Sequence, residues 1–159
     1  MKFCVKLAIL AAGLLGLAGC ASSVYEHGPT FQAAVVTPNT SWKITGDLSN
    51  MGAAIDGNTM LPATSGANYA NASFTIDLSK PCLFNMIALD QGFFEDHFPR
   101  RVAIYTSMDG KNWSFIYAAP GTRRVTVMTW ATPVLARYVK VVAAMPGEKP
   151  WAVAEVYIQ

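Results

Sequence analysis

The sequence predicts one all-β domain, a β-sandwich or jelly roll, over residues 31–159. Phe74–Leu78 alternates apolar and polar side chains, which is the period of a half-buried strand. The other strand-like segments are short, rich in β-branched and aromatic residues, and separated by Gly, Pro, Asn or Asp. No stretch beyond the N-terminal apolar run has a long, capped 3.6-residue periodicity. Regularly spaced short strands of this kind are typical of sandwiches and jelly rolls.

Six further strands are predicted after Phe74–Leu78. They are Asn85–Asp90, Arg101–Thr106, Trp113–Tyr117, Arg123–Thr129, Arg137–Val142 and Ala152–Ile158. Asp109-Gly110 lies between the second and third of these and predicts a hairpin, because Gly tolerates the positive φ that a tight turn requires.

Residues 1–19 have the pattern of an export signal. Lys2 and Lys6 precede the apolar run Leu7–Leu17, which is too short to cross a bilayer as a helix. The run ends in Leu17-Ala18-Gly19-Cys20, which resembles the lipobox of bacterial lipoproteins. The alternative is an ordinary secretory signal beside an unmodified cysteine, but cysteine is rare in this chain, at three in 159 residues. We therefore expect cleavage before Cys20 and acyl chains such as palmitate on Cys20, which anchor the protein to a membrane.

Signal cleavage and acylation change the number of free cysteines and the net charge of the mature protein. Cys4 leaves with the signal and Cys20 is acylated, so Cys82 is the one remaining thiol and an internal disulfide is excluded. Loss of Lys2 and Lys6 leaves ten Lys+Arg against ten Asp+Glu, a balance that argues against a nucleic-acid partner. The mature chain is long enough for one domain with a sizeable core.

The segment between Cys20 and the domain also bears on location. Ala21 follows the cysteine, and by resemblance to Gram-negative lipoproteins this predicts the outer membrane, on its periplasmic face or at the cell surface. Residues 20–30 form a weakly patterned tether, and ten residues span at most about 35 Å. The domain is therefore expected close to its membrane.

Five motifs in order carry a family resemblance. They are Ala54-Ile55-Asp56-Gly57-Asn58, Ile76-Asp77-Leu78, the Ser107–Trp113 segment with its Asp109-Gly110 turn, Ala136–Val141, and Trp151 followed by Ala154-Glu155-Val156. In this order and spacing the chain resembles the discoidin superfamily, which includes the coagulation factor V/VIII C-type domains and the family 32 carbohydrate-binding modules. The resemblance covers roughly residues 40–159. It implies a galactose-binding-like jelly roll of roughly eight strands, with both chain ends at one pole and the variable loops at the other.

Two features of the family are absent from this chain. The usual T-x-W after the first Asp-Gly is replaced by Thr59–Ser65, and the terminal cysteine pair of the animal members is missing. The resemblance therefore predicts the fold more directly than the ligand.

The resemblance also implies a structural calcium site. In many family members the ion lies where the first Asp-Gly loop meets the last strand, which here implicates Asp56, Asn58 and Glu155. By strand alternation Glu155 shares a face with Trp151, Val153 and Tyr157, and a carboxylate on an apolar face requires a partner. The alternative is that Asp56 caps a turn and Glu155 pairs with a cation such as Arg137.

The segment Gln91–Arg101 is the candidate ligand site. It combines aromatic side chains with planar polar ones, the mixture that a sugar site requires. Its candidate residues are Phe93, Phe94, His97, Arg100 and Arg101, with Trp42 and Tyr69, and also Trp130, as further members of the rim. The alternative is that the phenylalanines fold back as a small core beneath the loop.

These features favour a non-enzymatic binding module, anchored to a membrane, that recognises a glycan or polysaccharide at the cell envelope. The sequence contains no G-x-S-x-G or H-E-x-x-H motif, and His97 is the only histidine in the predicted domain. The alternative function is a structural accessory lipoprotein that docks onto other proteins of an envelope assembly. A small cleft with an aromatic floor would favour the glycan, and a broad flat apolar patch would favour docking.

Overall fold

The computed structural model describes residues 41–159, so the predicted signal peptide, Cys20 and the tether lie outside the described residues. The described chain forms eight strands and one 3₁₀ turn, Met51–Ile55. The strands are β1 Lys43–Gly46, β2 Ala63–Thr64, β3 Ser73–Asp90, β4 Arg101–Ser107, β5 Ser114–Pro120, β6 Val125–Met145, β7 Ala152–Val153 and β8 Glu155–Ile158. Within residues 41–159, no helix has the length and apolar character needed to cross a membrane.

Two long strands, β3 and β6, organise the sandwich. They pair antiparallel from Ser73 opposite Val142 to Asp90 opposite Val125, with register shifts between Asp77 and Cys82 and between Phe84 and Met86. Before the shifts β3 also pairs with β1, and after them it pairs with β8. One half of each long strand therefore lies in one layer of the sandwich, and the other half lies in the second layer. The sheet order is β1-β3-β6-β4-β5, with β8 on β3, and β2 pairs separately with β7.

The inward faces of both halves of β3 form the core. Phe74, Ile76 and Leu78 are buried before the bend, and Phe84 and Leu89 are buried after it. The largest fully buried side chain is Trp151, which contacts the Phe74 ring at a centroid distance of 5.4 Å. Burial on alternating positions explains why the sequence pattern identified these strands.

The structure confirms the all-β sandwich of about eight strands and corrects its details. Phe74–Leu78 and Asn85–Asp90 belong to one strand that continues through Pro81, and β6 likewise unites two predicted strands. Ala152–Ile158 is divided at Ala154. The four residues of β1 and the two of β2 are too short to have shown a period. The hairpin at Asp109-Gly110 is confirmed between β4 and β5, with Gly110 at φ 73°.

The strand register separates two poles of the sandwich. At one end Asp90 lies opposite Val125, and Arg101 lies opposite Pro120. The connections that leave this end, which we call the loop pole, include residues 91–100, 121–124 and 146–151. At the other end, the entry pole, β1 begins opposite Asp77 and the Ser79 hydroxyl donates a hydrogen bond to the carbonyl of Ser41.

The C-terminus also approaches the entry pole, since the Met86 amide donates to the Gln159 carbonyl at 2.7 Å. The β4–β5 connection, residues 108–113, lies at the same end, because Ser107 pairs with Tyr138. The expected separation of the chain ends from the variable loops is therefore confirmed for the described residues.

An ion pair beside the first register shift gives a test of the fold. Asp77 accepts hydrogen bonds from Arg137 Nε at 2.8 Å and Nη2 at 2.9 Å, and this contact lowers the pKa of Asp77. A carboxyl group whose pKa is lower in the folded than in the unfolded state stabilises the fold at pH values above the unfolded-state pKa. That stabilisation is lost as the pH falls below about 4. We expect Asp77→Asn to lower the free energy of unfolding at neutral pH, by a difference that shrinks in acid.

Urea unfolding at both pH values measures this difference. Arg137→Gln serves as the matched variant, and the double variant completes a cycle that isolates the pair. An equal loss at pH 7 and pH 3 would contradict a stabilising role for the charged pair.

Candidate functional site

The Gln91–Arg101 loop is held in shape by its own backbone. The Phe94 amide donates to the Gln91 carbonyl at 3.1 Å, and the His97 amide donates to the Phe94 carbonyl at 2.9 Å, which gives two successive turns. The loop is also joined to its neighbour at residues 121–124, because the Arg124 amide donates to the Glu95 carbonyl at 3.0 Å. These bonds fix the positions from which the side chains project.

Three small clefts open at the loop pole. The first, of about 270 Å³, lies between the loop and residues 147–149, with Phe98 and Arg100 in its lining. The second, of about 200 Å³, is lined by Phe93, Phe94 and His97 and shares Asp96 and Lys149 with the first. The third, of about 180 Å³, lies between Phe93, Arg124 and Thr59. Each cleft combines an aromatic ring with charged or hydroxyl groups.

The phenylalanines of the loop differ in exposure. Phe93 is 73% exposed and Phe94 is 37% exposed, whereas Phe98 is only partly accessible. The Phe94 ring meets the His97 ring edge-on at 5.3 Å. Phe93 and Phe94 are therefore available to a ligand, and Phe98, of intermediate burial, lines the first cleft.

His97 lines the second cleft, and a backbone contact defines its tautomer. Its Nδ1 lies 2.9 Å from the Pro150 carbonyl oxygen, which can only accept, so Nδ1 carries the hydrogen. In the neutral ring Nε2 is then an acceptor. A hydroxyl group is a donor that suits this nitrogen.

The charged side chains at this pole are paired with one another. Arg123 lies 3.1 Å from Glu95 and 3.2 Å from Asp96, and Lys149 lies 3.5 Å from Asp96. Arg100 lies 3.2 Å from Glu148. Exposed pairs of this kind contribute little to stability, about 0–1 kcal/mol each. Their main effect is to present planar donors and acceptors at neighbouring positions around the clefts.

Three aromatic residues predicted for the rim do not line the clefts. Trp42 is only 6% exposed and precedes β1 at the entry pole, so its assignment to the ligand site is wrong. Trp130 packs against Phe84 and Tyr117 within the sandwich. Tyr69 is 3% exposed, so it does not face a ligand either. A large apolar ring gains more free energy from burial than from exposure, wherever in the sequence it occurs.

Tyr69 supports the loop pole from beneath. Its hydroxyl accepts a hydrogen bond from the Gly147 amide at 2.6 Å and lies 3.5 Å from the Phe98 carbonyl, and its ring stacks on Trp151 at 6.5 Å. A side chain at position 147 would collide with the Phe98 carbonyl, so only glycine permits this approach. Tyr69 is therefore a positioning residue for both walls of the first cleft.

Several residues of the site escaped the sequence analysis. Arg123, Arg124 and residues 147–149 line the clefts, although Arg123 and Arg124 were assigned to a strand. The Gly147–Pro150 segment has the composition of a turn, but only the fold places it beside Asp96. Arg101, which was predicted for the site, is exposed at the start of β4 and does not line these three clefts.

Of the three candidate calcium residues, Asp56 and Glu155 approach each other at a second location, whereas Asn58 Oδ1 accepts a hydrogen bond from the Met60 amide at 3.0 Å. The Gly57 amide donates to Glu155 Oε2 at 2.8 Å, so the first Asp-Gly loop does contact β8. Asp56 Oδ1 accepts from the Asn58 amide at 2.8 Å, which is the turn-capping role of the alternative. The proposed pairing of Glu155 with Arg137 is wrong, because Arg137 binds Asp77.

Glu155 is buried, at 1% exposure, and its Oε1 has no hydrogen-bond partner among the described residues. Tyr157, which was expected on the same face, is 36% exposed. Burial, together with the nearby carboxylates of Asp56 and Asp90, raises the pKa of Glu155 to about 7. An uncompensated buried carboxylate next to other acids suits a hard cation.

The side-chain donors at this location are few. No group of three or more His, Cys, Asp or Glu side chains within residues 41–159 is arranged to hold a metal ion. An ion bound to Glu155 would take most of its ligands from loop carbonyls. The donor set therefore fits calcium, which accepts backbone oxygens, and does not fit zinc.

Comparisons with known proteins agree with this geometry. The family model described as "F5/8 type C domain" matches residues 32–156. Among solved structures, the chain is similar to the family 32 carbohydrate-binding module of NanJ from Clostridium perfringens, in complex with galactose. The TM-score is 0.68 at 15% identity, over 79% of this chain and 97% of that one. None of the curated protein sequences matches the chain.

Two further structures extend the comparison. The module CpGH89CBM32-5 from Clostridium perfringens, in complex with GalNAc-β-1,3-galactose, has a TM-score of 0.67 at 17% identity, over 74% and 94% of the two chains. Chitosan-binding module 1 from a chitosanase/glucanase of Paenibacillus sp. IK-5 has a TM-score of 0.66 at 17% identity, over 77% and 96%. At these identities the likeness shows a shared fold.

Removal of the Tyr69 hydroxyl tests whether this group holds the loops of the site in position. Tyr69→Phe leaves the buried ring in place and removes the acceptor for the Gly147 amide. We expect a loss of about 1–2 kcal/mol in the free energy of unfolding, since a part-buried amide loses its partner. Urea unfolding measures it, with Tyr157→Phe as the matched control on an exposed edge. Equal stability of the two variants would show that the hydroxyl does not support the loops.

Proposed function

Because this chain belongs to the F5/8 type C domain family, as its motifs predicted, we propose that it is a non-enzymatic glycan-binding module on a membrane anchor. The loop pole binds the sugar, and the lipid on Cys20 holds the opposite end of the domain at the membrane. The observation that carries this proposal is the set of small clefts around Phe93, Phe94, His97 and Phe98.

The shape and chemistry of the clefts favour a sugar, rather than a protein surface, as the ligand. A monosaccharide needs a small concave site with an aromatic face and planar hydrogen-bonding groups, and clefts of about 200–270 Å³ provide that scale. Phe93 and Phe94 supply apolar faces, and His97 and Arg100 supply an acceptor and a donor fork.

The names of similar structures support the same ligand class. Two of them were solved with galactose or GalNAc-β-1,3-galactose, and a third is named as a chitosan-binding module. These names make galactose-terminated glycans and chitosan oligosaccharides the first probes for this chain. They also describe binding modules, which supports a role without catalysis.

The anchor and the calcium ion complete the proposal. Outer-membrane attachment through Cys20 rests on the lipobox-like sequence and Ala21. Calcium would be held by Glu155 and Asp56 with loop carbonyls, and would supply the charge that the buried Glu155 lacks. Its role is to join the first Asp-Gly loop to β8.

The anchor is tested by Cys20→Ser. We expect the precursor to remain unlipidated, because the lipobox peptidase and acyltransferase act at that cysteine alone. Incorporation of radiolabelled palmitate and membrane fractionation measure the effect, and Cys82→Ser is the control that should label normally. Palmitate still entering the Cys20→Ser protein would overturn the assignment.

The sugar site is tested by Phe94→Ala and His97→Ala. Each should weaken binding to the glycan probes by about tenfold or more, because it removes a stacking face or an acceptor. The control is Phe115→Ala, which removes a ring that is 59% exposed near the other pole. Glycan-array binding followed by calorimetry measures affinity, and urea unfolding measures stability.

The outcomes separate the competing accounts. A loss of several kcal/mol in stability from Phe94→Ala would make that residue part of the core. Unchanged glycan affinity in both variants would place the sugar elsewhere. Failure of the unaltered protein to bind glycans, with capture of an envelope protein through the same loop, would favour the docking function.

The ion is tested by chelation. A ligand that binds only the folded state stabilises it by mass action, so removal of calcium should lower the melting temperature by about 5 °C. Glu155→Gln should melt at the same temperature with and without chelator. A melting temperature of the unaltered protein that does not respond to calcium would overturn the calcium site and leave the glycan site untouched.

A further inference from the structure

The entry pole carries a second exposed surface that the sugar site does not use. A groove of about 350 Å³ lies between the β4–β5 connection and the bend of β6. Its apolar lining includes Met108, Ile116, Val134 and Leu135. Met108 is 53% exposed and Leu135 is 56% exposed. Apolar side chains grouped at this level of exposure mark a surface that contacts something else.

Basic side chains lie at the same pole as this groove, although none of them lines it. Strand register and the connections place five cations at the entry pole: Lys43, Lys80, Lys111, Arg137 and Lys140. Only two acids lie there, Asp77 and Asp109. Asp77 is bound to Arg137, and Asp109 accepts hydrogen bonds from the amides of its own turn.

The charge is therefore divided between the two poles. Residues 41–159 contain ten Lys+Arg and nine Asp+Glu, so the remainder of the domain has five cations against seven acids. The entry pole has a formal excess of three positive charges, and the rest of the domain has an excess of two negative charges. A near-neutral chain with this separation is attracted to an anionic surface through one end only.

The chain enters the domain at the same place. Ser41 is bound to Ser79 in the β3 bend, and the residues before Ser41 lead back to Cys20. The twenty-one residues that follow Cys20, up to Ser41, cover at most about 75 Å at full stretch. A lipid on Cys20 therefore holds the entry pole at a high local concentration near the bilayer.

We propose that the entry pole lies on the surface of an anionic phospholipid membrane. Met108 and Leu135 enter the boundary between headgroups and acyl chains, while Lys80 and Lys111 contact headgroup phosphates. Apolar insertion combined with basic side chains is the general chemistry of proteins that lie on membranes. The inference rests on the proposed anchor, and it fixes the orientation of the domain with the loop pole directed away from the lipid.

Site-specific fluorescence on lipidated full-length protein in vesicles tests the contact. An environment-sensitive fluorophore is attached at Met108→Cys or Leu135→Cys, in a Cys82→Ala background, with Phe93→Cys as the matched position at the loop pole. The vesicles contain phosphatidylcholine with or without phosphatidylglycerol, and nitroxide-labelled acyl chains quench only fluorophores that touch lipid. Flotation of the vesicles reports separately whether the lipid anchor is present.

We expect quenching at positions 108 and 135 to be at least twofold stronger than at position 93 on vesicles with phosphatidylglycerol. The difference should fall when phosphatidylglycerol is omitted, and in the Lys80→Gln/Lys111→Gln variant. Equal quenching at the three positions, or strongest quenching at position 93, would overturn the proposal. A shielded but unquenched fluorophore at position 108 would also overturn it, since a protein surface would then cover the groove. Protein that fails to float would refute the anchor instead.

Discussion

The antiparallel register between β3 and β6 is the constraint on which the other features depend. Because both strands pass through the two layers, their bend sets the sandwich, and their ends set its poles. Every connection that leaves Asp90 or approaches Val125 must lie at the loop pole, so segments far apart in sequence meet there. The same register brings the β4–β5 connection to the end where the chain enters. Binding groups and chain entry are therefore separated by the length of the sandwich.

Several buried polar groups have no hydrogen-bond partner among the described residues. They are the amide nitrogen and oxygen of Gln91 at the base of the loop, Trp151 Nε1, Glu155 Oε1 and, within the sandwich, Trp130 Nε1. Domains tolerate such groups where ordered water or an ion completes their hydrogen bonds. Calcium at Glu155 would supply this at the Asp-Gly loop.

The sequence predicted those features that depend on local pattern. The alternation of apolar and polar residues in Phe74–Leu78 was sufficient to predict a strand. The Asp109-Gly110 turn was sufficient to predict one hairpin. The contact of Gly57 with Glu155 spans 98 residues, and only the family motifs could indicate it. Burial of Trp42 and Tyr69 was missed, because the environment of a ring between strands is decided by tertiary packing. The continuity of β3 through Pro81 was hidden for the same reason, since a proline normally marks a boundary.

We propose that the loop pole binds a sugar and that the entry pole does not. Backbone chemical shifts of the lipid-free mature domain, recorded during titration with the glycan that binds most strongly on an array, distinguish the two poles. We expect the largest shift changes in residues 91–100, 121–124 and 147–149, with residues 106–116 unchanged. Changes confined to residues 106–116, or spread evenly over both poles, would contradict it.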